Sequence, residues 1–84
     1  MLTVSVISPE RTLYEGDATM VVAPAFDGEV GILTDHAPMI TALGAGTLRV
    51  EGSGAGARRF TIDGGFLQVV DNTVRVVTER AEPA

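Results

Sequence analysis

The sequence holds 84 residues with a formal charge of −5, eleven acidic side chains against six basic ones. Cysteine and lysine are both absent, and the bases are Arg11, Arg49, Arg58, Arg59, Arg75 and Arg80. Disulfide cross-links are therefore excluded, and nucleic acid and anionic lipid are poor direct partners, because both are bound largely through basic clusters. A chain this short is expected to form one domain, residues 1–84, with 79–84 as a short tail. Such a domain buries only about 60–65% of the surface its unfolded chain would expose, and many of this size borrow stability from a partner. No apolar run approaches the ~20 residues needed to span a bilayer. The N-terminus alternates from Leu2 onward, unlike a signal peptide. Work at a membrane would go through another protein, with no direct lipid insertion.

Taken in chain order, the apolar period is two almost throughout. Leu2, Val4 and Val6 alternate with Thr3 and Ser5, and Ser8-Pro9-Glu10 reads as a turn. A short strand follows around Thr12–Glu15, then a turn at Gly16–Asp17 and an apolar run over Thr19–Ala23 that stops at Pro24. The Val21–Val22 pair and the shortness of that run favour a buried strand. Residues 24–46 break the alternation with four glycines, two prolines, three acids and the single histidine, and read as a loop segment of the kind that carries function. Beyond it, Leu48 and Val50 alternate with Thr47, Arg49 and Glu51, while Phe60 and Ile62 alternate with Arg59, Thr61 and Asp63. The stretch Gly52–Ala57 between them reads as a flexible hairpin loop. Gly64–Gly65 predicts positive φ and a sharp bend or bulge. Phe66–Val70 and Thr73–Thr78 meet at Asp71–Asn72, two residue types that tolerate the positive φ of a two-residue hairpin. Short strands with closely spaced turns indicate an all-β sandwich or barrel. The expected inward set is Val4, Val6, Val21, Leu48, Val50, Phe60, Ile62, Val74 and Val76.

Catalytic constellations are scarce. One histidine without cysteine or lysine leaves few nucleophile–base pairs. His36 directly follows Asp35, and adjacent side chains seldom aim at one reacting atom. Ser5, Ser8 and Ser53 lie outside any G-x-S-x-G elbow. His36 is better read as a loop residue that orders its neighbours, or as an interface contact. Asp27, Glu29 and Asp35 lack the spacing of an EF-hand loop, and zinc sites want several His or Cys ligands. Gly52, Gly54 and Ala57 formally satisfy G-x-G-x-x-G/A, but a strand follows where the phosphate-binding motif needs a helix. A lipoyl or biotinyl carrier would need a lysine at a hairpin tip. No catalytic, metal-binding or cofactor-binding residue emerges.

Read as a whole, Asp27-Gly28-Glu29-Val30-Gly31-Ile32-Leu33-Thr34-Asp35-His36-Ala37-Pro38 resembles the G-E-x-G-I-L-P-x-H-A-P signature of epsilon subunits of F-type ATP synthases. Thr41-Ala42-Leu43 and Gly46 are similar to that family's T-x-L-x-x-G, and Gly64-Gly65-Phe66 to its S-G-G-F-x-x-V. Val6-Ile7-Ser8-Pro9-Glu10-Arg11 and Leu13-Tyr14-Glu15-Gly16 resemble its V-x-S-P-E-x-x-L-Y-x-G. Thr34 stands where the family usually has proline, and Asp35 where it often has glycine or asparagine.

The resemblance implies a flattened antiparallel β-sandwich or barrel of about ten short strands. It also implies a non-catalytic rotor part that links the gamma shaft to the c-subunit ring and couples proton flow to ATP synthesis. Its place would be peripheral, on the cytoplasmic face of the bacterial inner membrane. By position, the loop Asp27–Pro38 would face the ring, with Glu29 suited to a basic ring loop, while His36 and Thr41 would lie toward the shaft. Gly31 is expected in a Gly-Ile-Leu turn that needs glycine's backbone freedom or a close approach to a partner. Ser8, Glu29, Gly31, His36 and Thr41 are the partner-interface candidates. Most of the family continues into two C-terminal helices with an inhibitory role, and the chain is expected to lack that half. The competing reading is a small acidic β-sandwich module that binds some other protein.

Overall fold

Alternation of buried and exposed residues makes this chain a stack of strands. The computed structural model describes residues 1–52 and 56–84. Ten strands form within them: β1 (Leu2–Ile7), β2 (Thr12–Ala18), β3 (Met20–Ala25), β4 (Gly28–Leu33), β5 (Met39–Ala42), β6 (Ala45–Gly52), β7 (Gly56–Asp63), β8 (Phe66–Val70), β9 (Thr73–Val77) and β10 (Arg80–Pro83). They build two five-stranded sheets, ordered β2-β1-β9-β8-β5 and β10-β7-β6-β3-β4. All the pairings are antiparallel except β1 with β9, which run parallel from Thr3 opposite Thr73 to Ile7 opposite Val77. The expected antiparallel sandwich of about ten strands thus holds, with one parallel pair where two strands distant in sequence lie side by side.

All nine residues expected to point inward are buried. Leu2, Ala18, Ala23, Ile32, Leu43, Leu67 and Val69 complete the apolar layer between the sheets. Each side chain of this size contributes about 1.5–3 kcal/mol on leaving water, Ala less, so the layer is the main source of cohesion.

Several local expectations change. Gly16–Asp17 is no turn: β2 continues to Ala18, with Asp17 opposite Thr3 and Gly16 opposite Val4. The chain changes sheet at Thr19 instead, whose amide and hydroxyl both donate to the Glu51 carbonyl, at 2.7 and 3.0 Å. Pro24 lies inside β3 and does not end it. Beyond Val22 the ladder between β3 and β6 has stopped, and β3 pairs only with β4; a missing N–H costs little there. The supposed loop 24–46 is mostly strand, for it contains β4, β5 and the start of β6. Within the stretch read as a tail, Arg80–Pro83 pairs with Phe60–Asp63. The hairpin read at Gly52–Ala57 has its residues 53–55 outside the described ones, and its flanking strands pair as far as Gly52 opposite Gly56.

The turns gather at two ends. At one end, 8–11, 26–27, 43–44, 64–65 and 78–79 are cross-linked through main-chain bonds such as Leu43 N to Gly65 O (2.9 Å) and Thr78 N to Ile7 O (2.9 Å). Gly64 and Gly65 have φ of 79° and 106°, the bend expected from the sequence. The opposite end carries 34–38 and the two-residue turn Asp71–Asn72, whose φ values of 49° and 61° match the left-handed hairpin geometry. A six-residue strand separates the ends by about 20 Å.

Candidate interface surface

β4 is the free edge of one sheet and β5 the free edge of the other. The five residues 34–38 join them directly, so both edges lie on one side of the sandwich. Glu29 and Gly31 lie exposed on β4, opposite Pro24 and Val22. Gly31 does not occupy a turn, and its φ is not among the positive values. A Cβ added there would meet only the Met20 methyl, at 3.5 Å, an ordinary contact. The expected need for glycine's freedom at Gly31 is therefore corrected. The backbone is that of a regular strand.

His36 sits in the joining segment, half-buried. Its amide donates to the Leu33 carbonyl at 3.1 Å, and its ring Nδ1–H donates to the Ala37 carbonyl at 2.7 Å. In the neutral ring, Nδ1 donating leaves Nε2 as the acceptor. Asp35, just before it, has φ 68°. Such a value favours Gly, Asn and Asp, which accounts for those residue types at that position of the signature.

Thr41 lies on β5 opposite Leu67 and shares the inner face with it. It is half-buried, with its hydroxyl 3.4 Å from the Ala42 carbonyl. Ser8 lies at the other end of the molecule from His36. It is 6% exposed, and its amide and hydroxyl both donate to the Arg11 carbonyl, at 2.9 and 3.2 Å. The structure thus strings Glu29, Gly31, His36 and Thr41 along the β4–β5 side, while Ser8 stands apart and closes its own turn.

Sequence reasoning missed the apolar residues that this surface presents. On the outer face of β5, Ile40 is 68% exposed, and beside it on β8 Phe66 and Val70 are 41% and 42% exposed. Ile40 stands opposite Gln68, which places Phe66 and Val70 on its two diagonals, within side-chain reach. Gln68, Val70, Thr73 and Arg75 line a shallow depression next to them. Leu33 and Phe26 are also exposed, on the β4 side. The signal was in the sequence: Phe66-Leu67-Gln68-Val69-Val70 is apolar on both faces, as in strands covered on both sides.

Polar chemistry is thin by comparison. The one ion pair among the described residues is Arg49 Nη2 to Glu51 Oε2 at 3.0 Å, on the outer face of β6. Among those residues no group of three or more His, Asp or Glu gathers as a metal site. None of them forms a helix long and apolar enough to cross a membrane.

The family model of the ATP synthase delta/epsilon chain β-sandwich domain matches residues 1–84. The chain belongs to this family. Among curated members, the ATP synthase epsilon chain of Syntrophomonas wolfei is 46% identical over 77 residues, covering 92% of this chain and 56% of that protein. The ATP synthase epsilon chain of Rhodopirellula baltica is 47% identical over 78 residues, covering 93% of this chain and 60% of its own length. This delta/epsilon-type sandwich thus spans 56–60% of the length of these two relatives. Among solved structures, a chain of the Euglena gracilis mitochondrial ATP synthase, in its OSCP/F1/c-ring assembly, superposes with a TM-score of 0.90 at 25% identity. The match covers 98% of this delta/epsilon-type sandwich and 52% of that chain. A chain of the Tetrahymena thermophila central stalk and c-ring structure, 18% identical with a TM-score of 0.80, shares the fold.

Proposed function

We propose that the chain is the sandwich part of an epsilon-type central-stalk subunit, a non-catalytic rotor piece of a proton-translocating F-type ATP synthase. It sits between the gamma shaft and the c-subunit ring, peripheral to the cytoplasmic face of a bacterial inner membrane, and turns with both. The observation that carries this reading is the family match along all 84 residues, joined to a body with two built surfaces. One is the apolar strip of Ile40, Phe66 and Val70 on the outer face of the first sheet. The other is the β4–β5 side with Glu29, Gly31, His36 and Thr41. Torque transmission needs stiffness, and close-packed strands supply it. It also needs seating on partners, for which interfaces on the order of 1,000 Å² or more are typical.

In this reading the strip takes the shaft and the end carrying 34–38 takes the ring. His36, which the resemblance set toward the shaft, goes with the ring because it lies within that segment. Glu29 at a wet rim steers orientation more than it adds affinity, and Ser8 keeps the shape of its turn. Membranes from cells expressing a tagged copy give the test. Gamma and the ring subunit are expected to co-purify with it after mild detergent extraction, and His36→Ala is expected to lower proton-driven ATP synthesis. Recovery of a different partner without either subunit would sink the reading in favour of an unrelated protein-binding module.

A further inference from the structure

The segment 34–38 is short, exposed at most positions and set between two sheet edges, yet its backbone is fixed at Asp35. The Asp35 amide donates to Asn72 Oδ1 at 2.6 Å, and Asn72 Nδ2 donates to Asp35 Oδ1 at 3.1 Å. Because the backbone amide can only donate, it fixes which end of the Asn72 carboxamide faces it. Asn72 is itself anchored, since its carbonyl accepts from the Thr3 amide at 2.8 Å. Both partners stand at positive φ, 68° and 61°. Among the described residues the one other hydrogen bond outside the strand ladders that ties this segment to a neighbouring element is the turn bond from His36 N to Leu33 O of β4, at 3.1 Å. Without the clamp, the segment would keep only its turn bond from His36 N to Leu33 O and the histidine's bond to Ala37.

We propose that Asn72 is a positioning residue for the His36 segment: its carboxamide holds Asp35, and through it His36, in the shape offered to the ring. The proposal rests on the functional reading above. Only a carboxamide does both halves of this work. Glycine keeps the left-handed backbone but has no side chain. Aspartate keeps an acceptor for the Asp35 amide yet sets a carboxylate against the Asp35 carboxylate and loses the donor. The β8–β9 turn therefore serves two purposes, closing a hairpin and bracing a segment more than 30 positions earlier in the chain.

The test uses Asn72→Gly and Asn72→Asp, beside His36→Ala as a reference, in the full chain and in the assembled membrane enzyme. Residue-resolved amide exchange is read first. In Asn72→Gly the Asp35 amide is expected to exchange about tenfold faster, while amides in β1 and β9 hold their rates. Asn72→Asp is expected to fall between, since it keeps an acceptor for the Asp35 amide but loses the donor. Proton-driven ATP synthesis is read next, well below each variant's melting temperature, and both variants are expected to lower it. An unchanged Asp35 amide in Asn72→Gly overturns the clamp. Faster exchange with normal synthesis, while His36→Ala impairs it, overturns the positioning role and leaves the interface reading standing. Normal synthesis in all three variants removes the interface reading itself, and the role built on it.

Discussion

Gly65→Ala is expected to remove a large share of the domain's stability, and the reason is backbone against backbone. At φ 106° a residue with a side chain sits outside its favoured regions, a strain of about 1–3 kcal/mol. The added Cβ would also collide with the Val77 carbonyl and stand 2.6 Å from the Thr78 Cα. Neither atom belongs to a flexible side chain, so the 64–65 bend must pull away from the 77–78 segment. Moving it endangers two bonds at 2.9 Å, Leu43 N to Gly65 O and the Thr78 hydroxyl to Gly64 O, each worth about 1 kcal/mol net. The total is roughly 3–5 kcal/mol. A domain of this length has only about 4–13 kcal/mol in hand at ~0.05–0.15 kcal/mol per residue. Urea melts followed by far-UV circular dichroism give the measurement, with Gly31→Ala as control. Gly31 has ordinary strand backbone and room for a Cβ, so its alanine variant is expected within about 0.5 kcal/mol of the parent. A Gly65→Ala unfolding free energy within about 1 kcal/mol of the parent, at equal m-value, would refute this reasoning.

Phe60, the largest fully buried side chain, is expected to cost about 3–5 kcal/mol on truncation to alanine, read from the same melts. Arg58 stands 5.7 Å from the Tyr14 ring centroid and 5.8 Å from that of Phe60. Arg58→Ala is expected to lose about 0.5–1 kcal/mol of cation–π stabilisation, and Tyr14→Leu in the same background is expected to cost less than it does alone. Deleting residues 79–84 removes β10, which covers Phe60–Asp63 of β7, so a lower urea midpoint is expected in place of a silent change. Glu29→Ala, at an exposed rim position, is expected to shift ATP synthesis mildly, consistent with a wet ion pair of about 0–1 kcal/mol.

The parts of the fold legible in the sequence are those where a local cause acts alone. Period-two burial marked the inner faces of β1, β6, β7 and β9, and Gly64–Gly65 and Asp71–Asn72 announced their positive φ through residue type. The failures share another cause. Pro24 and Gly16–Asp17 carry breaker residues, yet both lie within strands: the ladder from β3 to β6 has already stopped before Pro24, and β2 is an edge strand laddered on one side only, to β1. β4 was hidden because its inner row opens on Gly28 before Val30 and Ile32, and its outer row of Glu29, Gly31 and Leu33 ends apolar, so no clean alternation shows. The interface candidates on β4 and β5 came from a motif and proved to share one side of the sandwich. The apolar strip of Ile40, Phe66 and Val70 was overlooked because a strand apolar on both faces reads at first as core.

The parallel pairing of β1 with β9 has a consequence for how the chain is made. Thr3 and Thr73 lie 70 positions apart, so the second residue of the first sheet to be synthesised waits for nearly the last part of the domain. At about 5–20 residues per second of synthesis, the first hairpin spends several seconds with one flank bare. During that time β1 and β2 can pair with each other, but the Leu2, Val4 and Val6 row has no opposing layer until the later strands emerge. Non-local closure of this kind places the domain among slow folders, in the range of milliseconds to seconds once the chain is complete. A newborn copy stalled before residue 77 would expose an unpaired apolar strand edge, and so would be a natural client for a chaperone at the ribosome.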